Sequence, residues 1–242
     1  MQGSHKIKAF LRPCVEVGTI FLAGNLHKAH QGQVMKGFLQ KLFKPEKKEV
    51  VTVISGLPRS GTSMMMKMLE AGGIPPVQDG IRTADTDNPK GYYEFERVKQ
   101  MDKGDTSWMK EAQGKSVKII SALLKHMPKE YEYRVIFIRR NMSEILESQR
   151  KMLVRRGEDP NKMEDAKMSE LFEKHLADIQ GWMRDQPNIS VLYVHYSDVL
   201  ADPVAYAEKI NDFCGGSLNI EAMIEVVDPE LYRNRKEKLA KA

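Results

Sequence analysis

Short runs of consecutive apolar residues alternate along the chain with longer segments in which apolar residues recur every three or four positions. The short runs are rich in Val and Ile and predict strands buried on both faces, at 50–54, 116–120, 133–138 and 189–195. The longer segments predict amphipathic helices, of which 166–184 is the clearest. This alternation predicts an α/β fold with a mostly parallel central sheet and helices on both faces.

The first 49 residues precede this alternation, and they predict an N-terminal extension to a main domain that covers 50–242. Within the extension, apolar residues recur at helical spacing over 33–44, with lysines among them. A basic amphipathic helix of this kind packs on its own domain or binds an anionic membrane surface or a partner. Residues 1–5 are either native or a cloning remnant, and the fold prediction leaves them out.

A turn rich in Gly, Ser and Pro joins the first predicted strand to a helix that begins near Met64. A strand, a glycine loop and a helix in this order form an anion site, because loop amides and the first helical N–H groups point into one concavity. Gly56 and Gly61 permit close approach of a ligand, and Arg59 adds a positive charge. Further donors come from the hydroxyls of Ser60, Thr62 and Ser63. The turn is therefore predicted to bind phosphate or sulfate.

The ATP-binding P-loop, G-x-x-x-x-G-K-[S/T], has the same glycine spacing, but Thr62 occupies the position of its lysine. Since that lysine reaches the β and γ phosphates, its absence argues against a kinase or NTPase. The sequence Gly-Leu-Pro-Arg-Ser-Gly-Thr-Ser at 56–63 instead resembles the 5′-phosphosulfate loop of sulfotransferases, which use 3′-phosphoadenosine 5′-phosphosulfate (PAPS). The resemblance implies that the donor is held by Pro58, Arg59, Ser60, Gly61, Thr62 and Ser63.

Arg140 follows the strand at 133–138, and Ser148 lies eight positions later in a predicted helix with Asn141 or Ser143 as its cap. This pair resembles the 3′-phosphate motif of sulfotransferases. A guanidinium can bind two phosphate oxygens at once, and a small hydroxyl adds a neutral donor. Arg139 is adjacent and is an alternative to Arg140 in this role.

Glu94 and Glu96 follow a turn that contains two tyrosines. Aromatic surroundings disfavour the charged form of a carboxylate, which suits a general base. The alternative is that both are surface residues at the start of a helix, where the helix dipole favours them. Glu94 is the better candidate because it directly follows Gly-Tyr-Tyr. The protein-tyrosine sulfotransferases, which look similar in the glycine loop, use a Glu after the first helix, and this supports Glu94.

Lys118 lies in an otherwise apolar predicted strand, where its charge is costly unless it meets an anion. The alternative is an edge strand that leaves Lys118 in solvent. In many cytosolic sulfotransferases this strand ends Lys-Thr-His-Leu-Pro, with the Lys on the transferred group and the His as base. Lys118 matches that Lys, but Ile120 occupies the His position. The base must therefore come from elsewhere in this chain.

The net charge of +5 suits an anionic ligand, but no zinc-ligand spacing, RNA-binding signature or long basic block predicts a nucleic-acid partner. Cys14 and Cys214 are far apart in sequence and indicate neither a disulfide framework nor a metal site. No apolar run reaches the length of a membrane span. These features favour the cytoplasm, with peripheral membrane contact through 33–44 as a further option.

The resemblance covers about residues 50–215 and implies a P-loop-like, three-layer α/β fold. It implies in-line transfer of a sulfuryl group from PAPS to a hydroxyl acceptor (an amine is less favoured), with adenosine 3′,5′-bisphosphate (PAP) as product. Glu94 would remove the acceptor proton, and Arg59 and Lys118 would stabilise the developing charge without a metal. Two alternatives are a P-loop nucleotide kinase or NTPase and a non-catalytic nucleotide-binding scaffold.

Overall fold

The computed structural model describes residues 49–81 and 91–228. The predicted N-terminal extension and its helix over 33–44 lie outside the described residues. The cytoplasmic location and the contacts with a membrane or partner stay predictions from the sequence. Within 49–81 and 91–228, no helix is long and apolar enough to cross a membrane.

The centre of the fold is a sheet of four parallel strands in the order β2-β1-β3-β4. The strands are β1 (Val51–Gly56), β2 (Ser116–Lys118), β3 (Tyr133–Arg139) and β4 (Ile189–His195). Every residue of β1 is buried, as the continuous apolar run predicts for an inner strand. The carboxyl ends of parallel strands meet at one edge of the sheet, so the loops that follow the strands lie close together there.

Six α-helices and three 3₁₀ helices surround the described sheet. The α-helices are α1 (Thr62–Ala71), α2 (Met142–Arg155), α3 (Asp165–Arg184), α4 (Tyr196–Ala201), α5 (Pro203–Cys214) and α6 (Ile220–Glu225). The 3₁₀ helices cover Glu96–Lys103, Ser107–Ala112 and Ser121–His126. The side chain of Asn141 accepts a hydrogen bond from the amide of Ser143 and caps α2, so Asn141 is the cap of the two predicted candidates.

Two apolar cores lie on opposite faces of the sheet, because successive strand residues point to alternate faces. On one face, Ile54 and Ile136 belong to a cluster with residues of α1, α5 and α6. On the other face, Val53 and Val135 belong to a cluster with the 3₁₀ helices and α3. The predicted three-layer α/β architecture with a parallel sheet is confirmed by this arrangement.

Two element predictions need correction. β2 ends at Lys118 rather than at 120, because the chain leaves the sheet to begin the 3₁₀ helix Ser121–His126. The amphipathic helix predicted at 166–184 is α3, but its apolar face is not buried along its whole length: Leu171 is 42% exposed, and the buried residues of the helix are Ile179 and Met183. Only the C-terminal half of α3 therefore contributes to the core.

Candidate active site

The loop between β1 and α1 makes a tight turn that needs its glycines. Gly56 has a φ of 150° and Gly61 a φ of 107°, both in the positive region that favours glycine. A Cβ on Gly56 would lie 2.6 Å from the carbonyl oxygen of Ile138, and a Cβ on Gly61 would collide with the ring of Tyr196. Arg59 is also left-handed, with a φ of 71°, a strained conformation that is typical of functional loops.

The N-terminus of α1 is open to an anion. Gly61 is its N-cap residue and provides no side-chain hydrogen bond, and the first turn contains no acidic residue. The first amides of a helix have no partners within the helix, and its dipole favours negative charge there. Thr62 and Ser63, the first two residues of α1, are half-buried at this point.

Arg59, Arg140 and Ser148 converge on this loop, although they come from different elements. The Nε of Arg59 donates to the Oγ of Ser148 at 2.9 Å, and an Nη of Arg140 donates to the carbonyl oxygen of Arg59 at 3.1 Å. Two guanidinium groups at one place repel each other unless an anion lies between or beside them. We call the loop 56–61, the first turn of α1, Arg140 and Ser148 the anion cradle.

Two residues that the sequence did not single out hold Arg140 in the anion cradle. Its Nε donates to the Oε2 of Glu144 at 2.9 Å, and both side chains are nearly inaccessible to solvent. Its guanidinium also stacks on the ring of Tyr196, 4.7 Å from the ring centre. The four-residue spacing of Arg140, which precedes the N-cap of α2, and Glu144 in its first turn was the available signal for the first contact. Nothing local to Tyr196 indicated the second.

Arg139 does not join the anion cradle. As the last residue of β3 it points to the opposite face from Arg140, as neighbouring strand positions do. It donates to the Oε1 of Gln180 on α3 at 2.9 Å and stacks on the ring of Tyr193 at 4.3 Å. The alternative of Arg139 as the phosphate ligand therefore has no support in the geometry.

Pro58 and Ser60 both belong to the predicted loop, but one side chain is exposed and the other is buried. Pro58 is exposed at the tip of the turn. Ser60 is fully buried, its amide donates to the carbonyl oxygen of Leu57, and its Oγ has no hydrogen-bond partner in the part of the chain that the structure describes. Ser60 therefore contributes to the shape of the turn, and its hydroxyl faces the interior.

Lys118 lies at the carboxyl end of β2, paired in register with Ile54 of β1. Its side chain is only 10% exposed, so the alternative of a solvated lysine is wrong. The Nζ donates to the carbonyl oxygen of Tyr92 and lies 3.9 Å from the Oε1 of Glu94. A cation and a carboxylate thus lie together beside the loop that follows β1.

Of the two candidate bases, Glu94 lies closer to this arrangement than Glu96. Glu94 is 18% exposed and is flanked by Lys118 and by Lys99, whose Nζ is 3.7 Å from its Oε2. Glu96 is 42% exposed and forms its ion pair with Lys99 at 2.7 Å. Glu96 is the first residue of a 3₁₀ helix, and its side chain is exposed there, whereas that of Glu94 is largely buried. Over the described ranges, no group of three His, Cys, Asp or Glu side chains is arranged to hold a metal.

Comparison with known proteins identifies the family. The family model of the sulfotransferase domain matches residues 51–241. A search of the curated proteins gave no match. Among solved structures, mouse sulfotransferase SULT7A1 complexed with PAP is 18% identical with a TM-score of 0.47, and the match covers 74% of this chain and 62% of that chain. The present chain therefore spans less than two thirds of the mouse protein.

Two structures of bacterial sulfotransferases are also similar to this chain, again at low sequence identity. A sulfotransferase from Alicyclobacillus acidocaldarius is 15% identical with a TM-score of 0.45, over 80% of this chain and 90% of that chain. Sulfotransferase STF9 from Mycobacterium avium is 13% identical with a TM-score of 0.44, over 81% of this chain and 70% of that chain. Because the family model spans most of the chain, from residue 51 to residue 241, the protein belongs to the sulfotransferase family.

Proposed function

We propose that the protein transfers a sulfuryl group from PAPS to a hydroxyl group of an acceptor. The observation that carries this proposal is the convergence of Arg59, Arg140 and Ser148 at the uncapped N-terminus of α1. A donor with phosphate groups at both its 3′ and 5′ positions needs two anion sites close together. The anion cradle offers two guanidinium groups and a helix N-terminus for them.

The residues of the anion cradle fit such a donor. The amides at the start of α1, with Arg59, would hold the 5′ phosphosulfate, and Arg140 with Ser148 would hold the 3′ phosphate. A Cβ at Gly56 or Gly61 would collide with β3 or with the ring of Tyr196, so the loop packs closely against both. When bound, PAPS supplies the activated sulfuryl group.

The chemistry at the acceptor falls to Glu94 and its neighbours. Glu94 accepts the proton of the acceptor hydroxyl as the oxygen of that hydroxyl forms a bond to sulfur and the bond from sulfur to the bridging phosphate oxygen breaks. Arg59 and Lys118 stabilise the negative charge that passes to the bridging oxygen. Fixed cations in a partly buried site perform this task without reorganisation during the reaction, and PAP is the product.

Calorimetric binding of PAP, AMP and ATP tests the donor assignment. We expect the wild-type protein to prefer PAP, and Arg140→Ala to weaken PAP binding by about 10- to 100-fold, the effect of losing a charged hydrogen bond. Arg139→Ala is the matched control, because the adjacent arginine faces the opposite side of the sheet and should retain PAP binding.

Ser148→Ala is a second variant that tests the donor site. It is needed because Arg140→Ala leaves the buried carboxylate of Glu144 without its cation, and such a loss destabilises the folded protein. Ser148→Ala removes a neutral hydroxyl, which also accepts from the Nε of Arg59, and we expect it to weaken PAP binding by about fivefold. Equal or tighter binding of ATP by the wild-type protein would overturn the assignment and favour a nucleotide kinase. Tight PAP binding without transfer to any acceptor would favour a non-catalytic scaffold.

A further inference from the structure

A cavity of about 200 Å³ opens beside Glu94. Its walls come from the C-terminal half of α1 and from the two chain segments that follow it. The lining residues are Glu70, Gln78, Gly80, Gly91, Tyr92, Tyr93 and Glu94. We call this space the Glu70 cavity. Because Glu94 lines it and also lies near Lys118, the cavity adjoins the group that we propose as the base.

The lining of the Glu70 cavity is polar, which is unusual for a pocket that binds a small molecule. Its described walls contain two carboxylates, a carboxamide, two tyrosines and two glycines, with no aliphatic side chain and no cation. A sterol or a simple phenol would gain little from burial there, since the hydrophobic effect scales with the apolar area removed from water. An anionic acceptor would meet two carboxylates. The walls therefore select a polar acceptor that is neutral or positively charged.

Glu70 distinguishes between those two options. Glu94 has Lys118 and Lys99 beside it, whereas within the described residues no Lys or Arg forms an ion pair with Glu70. The contact of Glu70 is a hydrogen bond of 2.5 Å from the hydroxyl of Tyr93. Burial, together with the hydrogen bond to Glu70 and the charge of Glu70, raises the pKa of Tyr93, so the phenol stays neutral. Glu70 is itself exposed, so a ligand can reach its carboxylate.

Tyr93 is held in a conformation that fixes this wall. Its φ is 51°, in the left-handed region that residues other than Gly rarely adopt. The hydrogen bond to Glu70 and the packing of its ring against the core on the α1 side retain the strained backbone. Strain that persists in a wall next to a reactive group is typical of a preorganised binding site.

We propose that the Glu70 cavity binds the acceptor, and that the acceptor carries an amino-alcohol group, with its ammonium near Glu70 and its hydroxyl toward Glu94. This inference rests on the proposed function. The volume is smaller than the ~300 to 1,000 Å³ of pockets for drug-sized ligands, so it suits a small compound or the end of a larger one. An ammonium kept protonated by Glu70 is not a nucleophile, and transfer goes to oxygen rather than nitrogen.

The test compares four small probes as acceptors with labelled PAPS: 3-aminopropanol, propane-1,3-diol, 3-hydroxypropanoate and phenol. The first two have the same number of non-hydrogen atoms and differ in charge. We expect kcat/KM for 3-aminopropanol to exceed that for the diol by about fivefold or more, the effect of one partly screened ion pair. Mass spectrometry should show an O-sulfate. The anionic probe and phenol should be the poorest acceptors.

Glu70→Gln separates charge from structure, because the carboxamide oxygen can still accept the Tyr93 hydrogen bond. We expect this variant to bring the ratio between 3-aminopropanol and the diol close to one. Glu96→Gln is the matched control, since Glu96 does not line the cavity, and it should keep the ratio. Retention of the preference in Glu70→Gln would overturn the assignment of Glu70.

The outcomes separate this inference from the proposed function. If PAP itself does not bind to the protein, the proposed function fails and the acceptor assignment fails with it. If PAP binds but phenol, the diol or the anionic probe is the best acceptor, only the acceptor assignment is wrong. If PAP binds and none of the four probes is sulfated, the amino-alcohol assignment is also wrong, while the donor site stands.

Discussion

Arg140 shows how a single residue is positioned for one ligand. Its guanidinium meets Glu144, the carbonyl oxygen of Arg59 and the ring of Tyr196 on different sides. A lysine could replace the charge but neither the fork of donors nor the flat face that stacks on the ring. These contacts fix the orientation of the group before any ligand arrives, so that less conformational entropy is lost on binding.

At the same scale, Glu94→Gln should separate catalysis from donor binding. The amide keeps the size of the side chain but cannot accept a proton, so we expect kcat to fall by about 10²- to 10⁴-fold. PAP affinity should change by less than about twofold, since Glu94 is not part of the anion cradle. Calorimetry and a labelled-PAPS assay measure the two quantities. Unchanged turnover in this variant would remove Glu94 from its role, and Glu96→Gln would then be the next variant to assay.

Whether the role of a single residue could be predicted depended on its neighbours in the sequence. Arg140 and Ser148 were singled out because their eight-position spacing resembles the 3′-phosphate motif of sulfotransferases, and their role in binding stays a prediction. Ser60 was predicted as a donor because it is a hydroxyl in an anion loop, but the turn directs its side chain inward. Side-chain direction within a tight turn follows from backbone angles that composition alone does not specify.

Among the elements, the walls of the Glu70 cavity are joined through Asp79. Its carboxylate accepts from the amides of Ile81 at 3.0 Å and Glu96 at 2.6 Å, and its own amide donates to the carbonyl oxygen of Glu94 at 3.3 Å. Loss of contact with water would raise the pKa of Asp79, but hydrogen bonds from backbone amides and the charge of Lys99 together outweigh this effect, so the pKa lies below its ordinary value. The carboxylate is therefore charged throughout the neutral range.

Asp79→Ala should loosen the segment that carries Glu94. We expect faster hydrogen exchange at the amide of Glu96 and an increase in acceptor KM of about fivefold, the effect of roughly one lost hydrogen bond. PAP affinity should stay within about twofold, since Asp79 is remote in sequence and contact from the anion cradle. Asp79→Asn keeps a carbonyl acceptor and should show a smaller change. Equal exchange rates in wild type and Asp79→Ala would contradict this role.

On the scale of the whole molecule, a hydrogen bond and an ion pair join the 3₁₀ helix after β2 to α3, the latter between Lys125 and Asp178 at 2.6 Å. The Oγ of Ser121, which is buried, lies 2.8 Å from the Nε2 of His175. Burial lowers the pKa of His175, and nearby Lys125 acts in the same direction against the opposing effect of Asp178. The folded protein therefore binds a proton at this ring less readily than the unfolded chain does.

The sign of the resulting pH dependence follows from this difference. Below the ordinary histidine pKa of about 6.5, the unfolded chain takes up the proton before the folded protein does. The contribution of His175 to stability is thus complete above about pH 6.5 and declines as the pH falls toward the lower, folded pKa. Urea unfolding between about pH 5.5 and 7 should show stability rising with pH. His175→Gln should flatten this rise, and an equally steep rise in the variant would contradict the assignment.

The sequence predicted the whole architecture better than the contacts within it. Apolar runs and glycine spacing depend on neighbouring residues, so the parallel α/β fold and the family were accessible, and both are confirmed. The strand order β2-β1-β3-β4 and the place of Tyr196 under the glycine loop depend on how distant elements pack. Packing of this kind leaves no periodic pattern in the chain, which is why the contacts of Tyr196 could not be predicted.

The contact between Tyr196 and Gly61 also bears on how the protein is made. The glycine loop leaves the ribosome early, whereas Tyr196 comes after β4, the last strand of the described sheet. A nascent chain that ends before Tyr196 has Arg140 without its stacking partner and a loop without the ring that packs against it. On the proposed function, the full affinity for the donor would therefore be acquired only after Tyr196 has been synthesised and packed.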